Sequence, residues 1–419
     1  MIDANALIGA LPRMLSGDEL MRALKVMPEY DPGVCDRDEA MRLMKLSDLY
    51  DIYLPSAMSV EVYSKLYLAL IRSLQKKDSR LAVRQYAENY KAVRQRDYSG
   101  ILGGSDSFTI IGTSGIGKSS AISKAIRLIS EGRIIELEQP HTKIVPCVVV
   151  QCPFDSSVKG LLLEILRQVD DELDTRYYDN AVRARATTDM LIGSVSQVAL
   201  NHIGLLVVDE IQHVVNSKNG KALVGSLTQL INCSGISICM VGTPDSCQFF
   251  EQAMQLARRS LGLHYSELPY DRYFREFCGM LFGYQYVRNR TDITEAIIEW
   301  LYEHSAGVIS IVVSLIHDAQ EIAILNGREM LDIVALNEAY QRMQMIHRYV
   351  KPAKLRVGQV SKPKAKKPAE AADGRGTVKG EAKTTDNISV AEIVAIAKNG
   401  NRSVVDALRE HFSVEEVAV

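Results

Sequence analysis

The sequence lacks several features that would assign it to a class at once. Its seven cysteines include no C-x-x-C pair and lie mostly in apolar runs, which favours buried, reduced thiols over zinc sites or disulfides. The net charge is only −2, so the composition is not that of a general nucleic-acid binder, and any charge effect must be local. The most apolar window, 306–325, is interrupted by His317, Asp318, Gln320 and Glu321, which argues against a membrane span.

The remaining composition is that of a globular protein. Of the 419 residues, 47% are hydrophobic and 24% are charged, which is enough for a sizeable core and two or three domains. The first residues, Met-Ile-Asp-Ala-Asn, place no basic segment ahead of an apolar stretch. We therefore expect no secretory signal and a cytoplasmic location.

The strongest motif is a phosphate-binding loop. Residues 112–119 fit G-x-x-x-x-G-K-[ST] and lie between a β-rich run at 108–111 and a helical pattern. Its glycines let backbone N–H groups face inward, and the helix N-terminus adds partial positive charge where a polyphosphate would sit. Lys118 is predicted to reach the β- and γ-phosphates, and Ser119 to offer its hydroxyl to Mg²⁺. The predicted nucleotide-binding residues are Gly112, Thr113, Ser114, Gly115, Ile116, Gly117, Lys118, Ser119 and Ser120.

The second half of the predicted site follows a later strand. Residues 205–208 form an unbroken apolar run, typical of a strand buried on both faces, and it ends in Asp209 and Glu210. In that setting Asp209 would help to hold Mg²⁺. Glu210 would orient and polarise the water that attacks the γ-phosphate.

Two further features are candidate catalytic groups. Thr243 follows the predicted strand 236–241 through Gly242, so it would emerge beside the γ-phosphate; a simple Gly-Thr-Pro turn is the alternative. Arg258 and Arg259 lie near the end of a helical pattern. One of them could reach the nucleotide of a neighbouring subunit and neutralise charge that develops in transfer, or the pair could cap its own helix.

Alternating strand and helix patterns predict an α/β fold. The predicted strands are 107–111, 144–151, 205–209, 236–241 and 263–268, and the helical patterns between them are 117–131, 157–174, 184–201, 219–232, 245–261 and 271–282. This alternation implies a parallel five-stranded sheet covered on both faces, with the ligand at the C-terminal ends of the strands. Both phosphate-site motifs then lie on one edge of one sheet.

Five segments make up the predicted domain plan: a helical N-terminal extension (1–98), the nucleotide-binding domain (99–286), a three-helix lid (287–350), a basic flexible linker (351–387) and a C-terminal helical tail (388–419). The tail would dock a partner, or it is a disordered end with residual helicity. A basic stretch in the extension is compatible with contact to a phosphate backbone or with a solvated helix face. It contains Arg72, Lys76, Lys77, Arg80, Arg84, Lys91, Arg94 and Arg96.

Together, these features resemble an AAA+ ATPase. The wording VVQCPFDSSVKG at 149–160, VVDEIQ at 207–212, VGTP at 241–244 and LARR at 256–259 is similar to transposon-encoded regulators of the TnsC and TniB type, relatives of the phage Mu target-selection ATPase. The resemblance covers about residues 100–350. It implies an AAA+ P-loop domain with an α-helical lid that binds ATP and Mg²⁺ and hydrolyses ATP to ADP and phosphate. It also implies a homo-oligomer, ring or helical filament, on double-stranded DNA, which connects a target selector to the transposase.

The resemblance also implies roles for single residues. Asp209 and Glu210 take the metal and water-activating roles, Thr243 that of the first sensor, and Arg258 or Arg259 the trans contact. One departure is that Gly307-Val-Ile-Ser310 stands where many AAA+ lids carry Gly-x-x-Arg, so the second sensor arginine has no counterpart there. Hydrolysis would then be slow or rely on the neighbouring subunit. Candidate DNA contacts are Lys218 and Lys221.

Two other functions remain open from the sequence. The chain could be the ATPase of a phage-defence system whose output is a partner nuclease, or a replication-type loader or remodeller. A neighbouring gene for a DDE transposase would indicate transposition, whereas one for a nuclease would indicate phage defence. The sequence contains no recognisable motif for contacts to the base, so the residues alone do not predict a preference for ATP over other nucleotides.

Overall fold

The computed structural model describes residues 4–77, 80–95, 107–138, 141–214, 220–247 and 262–343. All of these belong to one unit of the chain, Met1–Arg356. The predicted linker and C-terminal tail, and most of the helical pattern at 245–261, lie outside the described residues. The same is true of Arg258, Arg259, Lys218 and the side chain of Lys221.

A six-stranded sheet forms the centre of the described part. Its strands are β1 (Phe108–Gly112), β2 (Ile135–Glu138), β3 (His141–Gln151), β4 (Ile203–Asp209), β5 (Ser237–Gly242) and β6 (Leu263–Tyr265), in the order β2-β3-β4-β5-β1-β6. The five predicted strands are parallel to one another, which confirms the predicted sheet. Strand β2 was not predicted; it is a short strand that pairs antiparallel with the start of β3.

The register of the sheet brings three strand ends together. Ile111 pairs with Gly242 across β1 and β5, and Val208 pairs with Met240 across β4 and β5. Because these neighbouring strands are parallel, their carboxyl ends open at the same edge of the sheet. The loops that follow β1, β4 and β5 therefore start side by side.

Helices cover both faces of the sheet. The helices of the described part, including those of the lid, are α1 (Ala4–Gly9), α2 (Gly17–Leu24), α3 (Glu39–Lys45), α4 (Asp48–Asp51), α5 (Ala57–Lys77), α6 (Arg80–Gln95), α7 (Lys118–Ser130), α8 (Val158–Leu173), α9 (Tyr177–Arg183), α10 (Thr188–His202), α11 (Gly220–Ser234), α12 (Arg272–Phe282), α13 (Glu295–Ser305), α14 (Ile309–Leu325) and α15 (Ile333–Arg342). The apolar sides of α8, α10 and α11 pack on one face. Those of α1, α2, α5 and α7 pack on the other.

The N-terminal segment contributes to two hydrophobic cores. Leu66 and Leu70 of α5 are fully buried with Leu205 of β4, and the Ser237 hydroxyl on β5 donates to the Ala69 carbonyl at 3.0 Å. Leu46 and Leu49, by contrast, pack into the core of the lid. The boundary at residue 98 stays a prediction, but the packing divides residues 4–77 between the sheet and the lid.

The lid is built from α12 to α15 around one apolar core. Phe274, Leu301, Leu315 and Leu336 are all fully buried there. The three helices predicted for the lid at 287–350 correspond to α13, α14 and α15, and α15 ends at Arg342. Helix α12 lies before the predicted boundary at residue 287, yet it packs in this same core.

A buried ion pair ties the N-terminal segment to the lid. Arg42 on α3 is 2% exposed, and its guanidinium donates to both carboxylate oxygens of Glu329 at 2.5 and 2.7 Å. These hydrogen bonds lower the pKa of Glu329. Because a bidentate pair restricts orientation as well as distance, it holds α3 against the turn between α14 and α15.

Lys77, a member of the predicted basic stretch, is not available for contact with a phosphate backbone. Its side chain is 5% exposed, and its ammonium nitrogen Nζ donates to the carbonyls of Ala199 and Leu200 at 2.8 and 2.5 Å, near the end of α10. Burial lowers the pKa of Lys77 to about 7. Lys77 therefore does not contact a phosphate backbone. Its Nζ caps the carbonyl end of a core helix.

The cysteines and apolar helices agree with the sequence analysis. All seven cysteines are free thiols, and five of them are buried. Among the described residues no single helix is long and apolar enough to span a membrane. The pair α13 and α14 reaches that length only together, across a bend of 120°.

Replacing Lys77 with methionine should change how stability depends on pH. Between pH 7 and the ordinary lysine value of about 10.4, the folded chain binds fewer protons at this group than the unfolded chain does. The wild-type free energy of unfolding should therefore rise across this window by up to about 1.4 kcal/mol per pH unit from this group, and Lys77→Met should lose that increment. Urea unfolding at pH 7, 8 and 9 measures the slope. Lys65→Met, on the same helix, is the control, and an unchanged slope in Lys77→Met would contradict the assignment.

Candidate nucleotide-binding site

The loop between β1 and α7 has the geometry of a phosphate cradle. Gly115 and Gly117 have φ values of 83° and 92°, a backbone region that other residues rarely adopt. Lys118 begins α7 directly after Gly117. The loop can therefore curl so that its N–H groups and the N-terminus of an α-helix point to one place, which suits an anion.

The side chain of Lys118 is held over this loop by backbone carbonyls of the loop. Its Nζ donates to the carbonyls of Gly112 and Thr113 at 2.7 and 2.8 Å. Burial lowers the pKa of Lys118, whereas the nearby carboxylates of Asp209 and Glu210 act in the opposite direction. The side chain thus lies beside the loop with its donors directed to oxygen atoms.

Ser119 and Asp209 meet across the sheet edge. The Ser119 hydroxyl at the start of α7 donates to Asp209 Oδ2 at 2.9 Å, and Asp209 Oδ1 accepts the Glu210 N–H at 2.8 Å. The Asp209 carbonyl also accepts the Cys152 N–H at 2.8 Å, which fixes the end of β4 against β3. A hydroxyl and a carboxylate oxygen this close fit the oxygen ligands that Mg²⁺ prefers.

Glu210 and Thr243 are linked through a residue with no predicted role. Glu210 has a φ of 57°, a strained value for a side chain of this size. The Gln212 amide nitrogen Nε2 donates to Glu210 Oε2, and Gln212 Oε1 accepts the Thr243 N–H at 3.3 Å. Within the described residues, the Thr243 hydroxyl is buried without a hydrogen-bond partner.

These groups line a single cavity of about 370 Å³. The structure brings into it the loop residues from Ser114 to Ser120, together with Asp209, Glu210 and Thr243. Gly112 and Thr113 contribute through the carbonyls that bind Lys118. The volume lies in the range of small-molecule and cofactor sites.

One part of the cavity lining is apolar and aromatic. Its walls come from the segment before α5, from α12 and from α14: Tyr50, Ile52, Tyr53, Leu54, Tyr273, Phe277 and Val313. The Tyr273 hydroxyl donates to the Leu54 carbonyl at 2.8 Å, which joins two of these walls. Apolar and aromatic side chains in the same cavity as a phosphate cradle suit a nucleotide base. These residues were not predicted, because nothing local marks segments that lie so far from the loop along the chain.

The lid contacts the phosphate loop directly. The Ser310 N–H at the start of α14 donates to the Gly115 carbonyl at 3.0 Å. The Thr113 hydroxyl donates to Glu267 Oε1 at 2.7 Å, and the Leu268 N–H donates to the Gly307 carbonyl at 3.1 Å. Ser310, the residue at the position where many lids carry an arginine, therefore adjoins the loop through its backbone.

Strand order and site together define a class of protein. The phosphate loop follows β1, the acidic pair follows β4, Thr243 follows β5 and a helical lid follows β6. This is an AAA+ P-loop ATPase fold. The family model described as "Bacterial TniB protein" matches residues 104–266, somewhat under half of the chain. Over this segment the match confirms the resemblance to the TniB type that was stated from the motifs.

Several solved structures are similar at low identity. The Orc1 protein of Aeropyrum pernix in complex with DNA has a TM-score of 0.41 at 15% identity, over 62% of this chain and 64% of that one, which is under two thirds of its length. The Orc2 protein of Aeropyrum pernix in its ADP form has a TM-score of 0.39 at 16% identity, over 62% and 67%. A Walker-type ATPase of Pyrococcus abyssi has a TM-score of 0.37 at 12% identity, over 63% and 71%. No curated protein sequence matches this chain.

Removing the Ser119 hydroxyl should weaken metal-dependent nucleotide binding. Ser119→Ala deletes one of the two oxygens at the candidate Mg²⁺ position, so the gain in ATP affinity on adding Mg²⁺ should fall by at least about tenfold. Calorimetric titration of ATP with Mg²⁺ and with EDTA measures this gain. Ser123→Ala, one turn further along α7 and outside the cavity, should behave as wild type. An undiminished Mg²⁺ effect in Ser119→Ala would exclude this hydroxyl as a ligand.

Proposed function

We propose that this protein is an ATP-dependent, DNA-binding AAA+ regulator of DNA transposition. It assembles on double-stranded DNA, connects a target selector to the transposase, and disassembles as it hydrolyses ATP. The observation that carries the proposal is the 2.9 Å hydrogen bond between Ser119 and Asp209, inside the segment that matches the TniB family. It joins the two halves of a Mg²⁺-nucleotide site that the sequence places on separate strands.

Nucleotide binding is supported by both parts of the cavity lining. The loop N–H groups and the N-terminus of α7 would hold the phosphates, and Lys118 would exchange its bonds to Gly112 and Thr113 for bonds to phosphate oxygens. The aromatic walls around Tyr53 and Tyr273 would take the base. Mg²⁺ held by Ser119 and Asp209 would neutralise charge on the phosphate oxygens.

Hydrolysis is supported by the arrangement of Glu210 and Thr243. Glu210 carries the carboxylate that would orient the attacking water, and it lines the same cavity as Lys118. Thr243 has a buried hydroxyl with no partner among the described residues, and a γ-phosphate or its attacking water would satisfy it. Position 310 is a serine, where many AAA+ lids carry an arginine. In the proposed site, Arg258 or Arg259 of a neighbouring copy therefore supplies the positive charge in trans.

The lid contacts support a link between nucleotide and assembly. Ser310 of the lid binds the Gly115 carbonyl. Glu267, which adjoins the lid through the bond of its neighbour Leu268 to Gly307, accepts the Thr113 hydroxyl, so both contacts go to the loop that would hold phosphate. Rearrangement of this loop on ATP binding would shift the lid and the surfaces attached to it. Such a shift would make a subunit interface that is favourable with ATP and weaker after hydrolysis.

DNA binding and transposition rest on the family match, not on a contact seen among the described residues. Arg84 remains exposed in the basic stretch, while Lys77 is buried. With a net charge of only −2 and no recognition helix in the described part, binding would go through phosphate contacts and be largely independent of sequence. Affinity would then fall steeply with salt.

Lys118→Ala should abolish ATP-dependent assembly on DNA. Losing two charge-assisted hydrogen bonds should weaken ATP binding by about 3 kcal/mol, or about a hundredfold in Kd. Negative-stain imaging with ATP and duplex DNA should show continuous filaments for wild type and for Lys124→Ala, a lysine of α7 outside the cavity. Filaments of Lys118→Ala would disprove the ATP switch, and closed rings that ignore DNA would favour a remodeller.

Glu210→Gln should separate binding from hydrolysis. The amide keeps the shape of the side chain but cannot act as a base, so hydrolysis should fall by about a hundredfold or more while ATP binding persists. Filaments of this variant should then last longer than those of wild type after free ATP is removed, which light scattering can follow. Faster disassembly would contradict the proposed role of hydrolysis.

A further inference from the structure

Gln212 lies between the two catalytic strand ends. It belongs to the 3-10 turn Ile211–Val214, which begins two residues after the end of β4. Its side chain reaches across to Thr243 at the end of β5, and it lines the cavity. It is thus the one described side chain that hydrogen-bonds both to Glu210 and to the backbone of Thr243.

Both ends of the Gln212 amide are used, and only one orientation allows this. The nitrogen donates to the Glu210 carboxylate, and the oxygen accepts the Thr243 N–H at 3.3 Å. Turning the amide around would place an oxygen against a carboxylate and an NH₂ against an N–H, both of which repel. The two neighbours therefore determine the orientation of the amide, and the amide in turn determines where one carboxylate oxygen lies.

Close packing leaves Gln212 little freedom. A side-chain carbon added at Gly242 would lie 3.2 Å from Gln212 Oε1 and 2.7 Å from a methyl group of Ile211. The turn after β4 and the end of β5 are thus in direct contact at this point. A displacement of either strand end would be transmitted to the amide, because there is no room to absorb it.

Glu210 itself is held at two points. Its backbone, at a φ of 57°, is fixed by the N–H bond to Asp209 Oδ1, and its tip is fixed by Gln212. With Oε2 occupied by the amide, Oε1 remains to accept a hydrogen bond from a water. A base held in this way spends no free energy on finding its orientation when the substrate arrives.

We propose that Gln212 is a positioning residue for ATP hydrolysis. It aims the Glu210 carboxylate and ties it to Thr243, so that the base and the sensor occupy their working positions together. The inference rests on the proposed ATPase function and deepens it by naming the contact that couples the end of β4 to the end of β5.

Three substitutions separate positioning from packing. Gln212→Leu removes both hydrogen bonds and keeps the volume. Gln212→Glu keeps the acceptor for the Thr243 N–H but faces Glu210 with a second carboxylate, so the two repel until they share a proton at lower pH. Gln168→Leu is the matched control, because Gln168 makes the same amide-to-carboxylate bond to Glu164, at 3.0 Å, on α8 and outside the cavity.

The test is steady-state ATP hydrolysis by the full chain from pH 6 to 8.5, with ATP affinity measured in parallel. For Gln212→Leu we expect kcat to fall about tenfold to a hundredfold with KM within about twofold of wild type. For Gln212→Glu we expect a deficit at pH 8.5 that narrows towards pH 6. In a Glu210→Gln background, Gln212→Leu should cause no further loss, since both act through one carboxylate.

Each contrary result has a distinct meaning. Wild-type kcat in Gln212→Leu, or an equal further loss in the Glu210→Gln background, would overturn the positioning role. A kcat deficit of Gln212→Glu that does not change with pH would also overturn the positioning role. If Gln212→Leu does not fold, the pH dependence of Gln212→Glu is the deciding measurement. If wild type binds ATP and hydrolyses none, the proposed function fails together with this inference.

Discussion

The contact between Ser119 and Asp209 depends on a constraint that operates through the whole sheet. These residues are far apart in sequence, and they meet because β4, β5 and β1 are consecutive parallel neighbours whose carboxyl ends open on one edge. Each of these strands is mostly apolar and is buried along its length up to the half-buried Asp209, as expected for strands covered on both faces. A site assembled from three strand ends is therefore as rigid as the sheet that carries it.

A second constraint comes from the N-terminal segment. Helix α5 covers the sheet, whereas α3 and α4 pack in the lid, where Arg42 is anchored to Glu329. The chain between them, with Tyr53 and Leu54, forms one wall of the cavity. The same stretch is thus tied to both layers, and a change in the position of the lid cannot leave this wall unaffected.

The elements that were predicted well share a strong local signal. Apolar runs marked β4 and β5, and glycine spacing marked the phosphate loop. Strand β2 was missed because four residues of alternating polarity at a sheet edge carry little signal. Lys77 was misread for another reason: a helical pattern shows that a lysine is present, but the neighbouring α10 decides whether it meets water or a helix end.

The sequence by itself determined which residues are candidates to cradle phosphate, to hold a divalent cation and to activate water. These properties depend on side-chain type and short spacing along the chain, which the sequence carries directly. Only the tertiary structure decided that Gln212 bridges Glu210 and Thr243, that Ser310 binds the Gly115 carbonyl, and that Tyr53 faces the nucleotide cavity. Such contacts join distant segments, and their distances depend on how every layer between them packs.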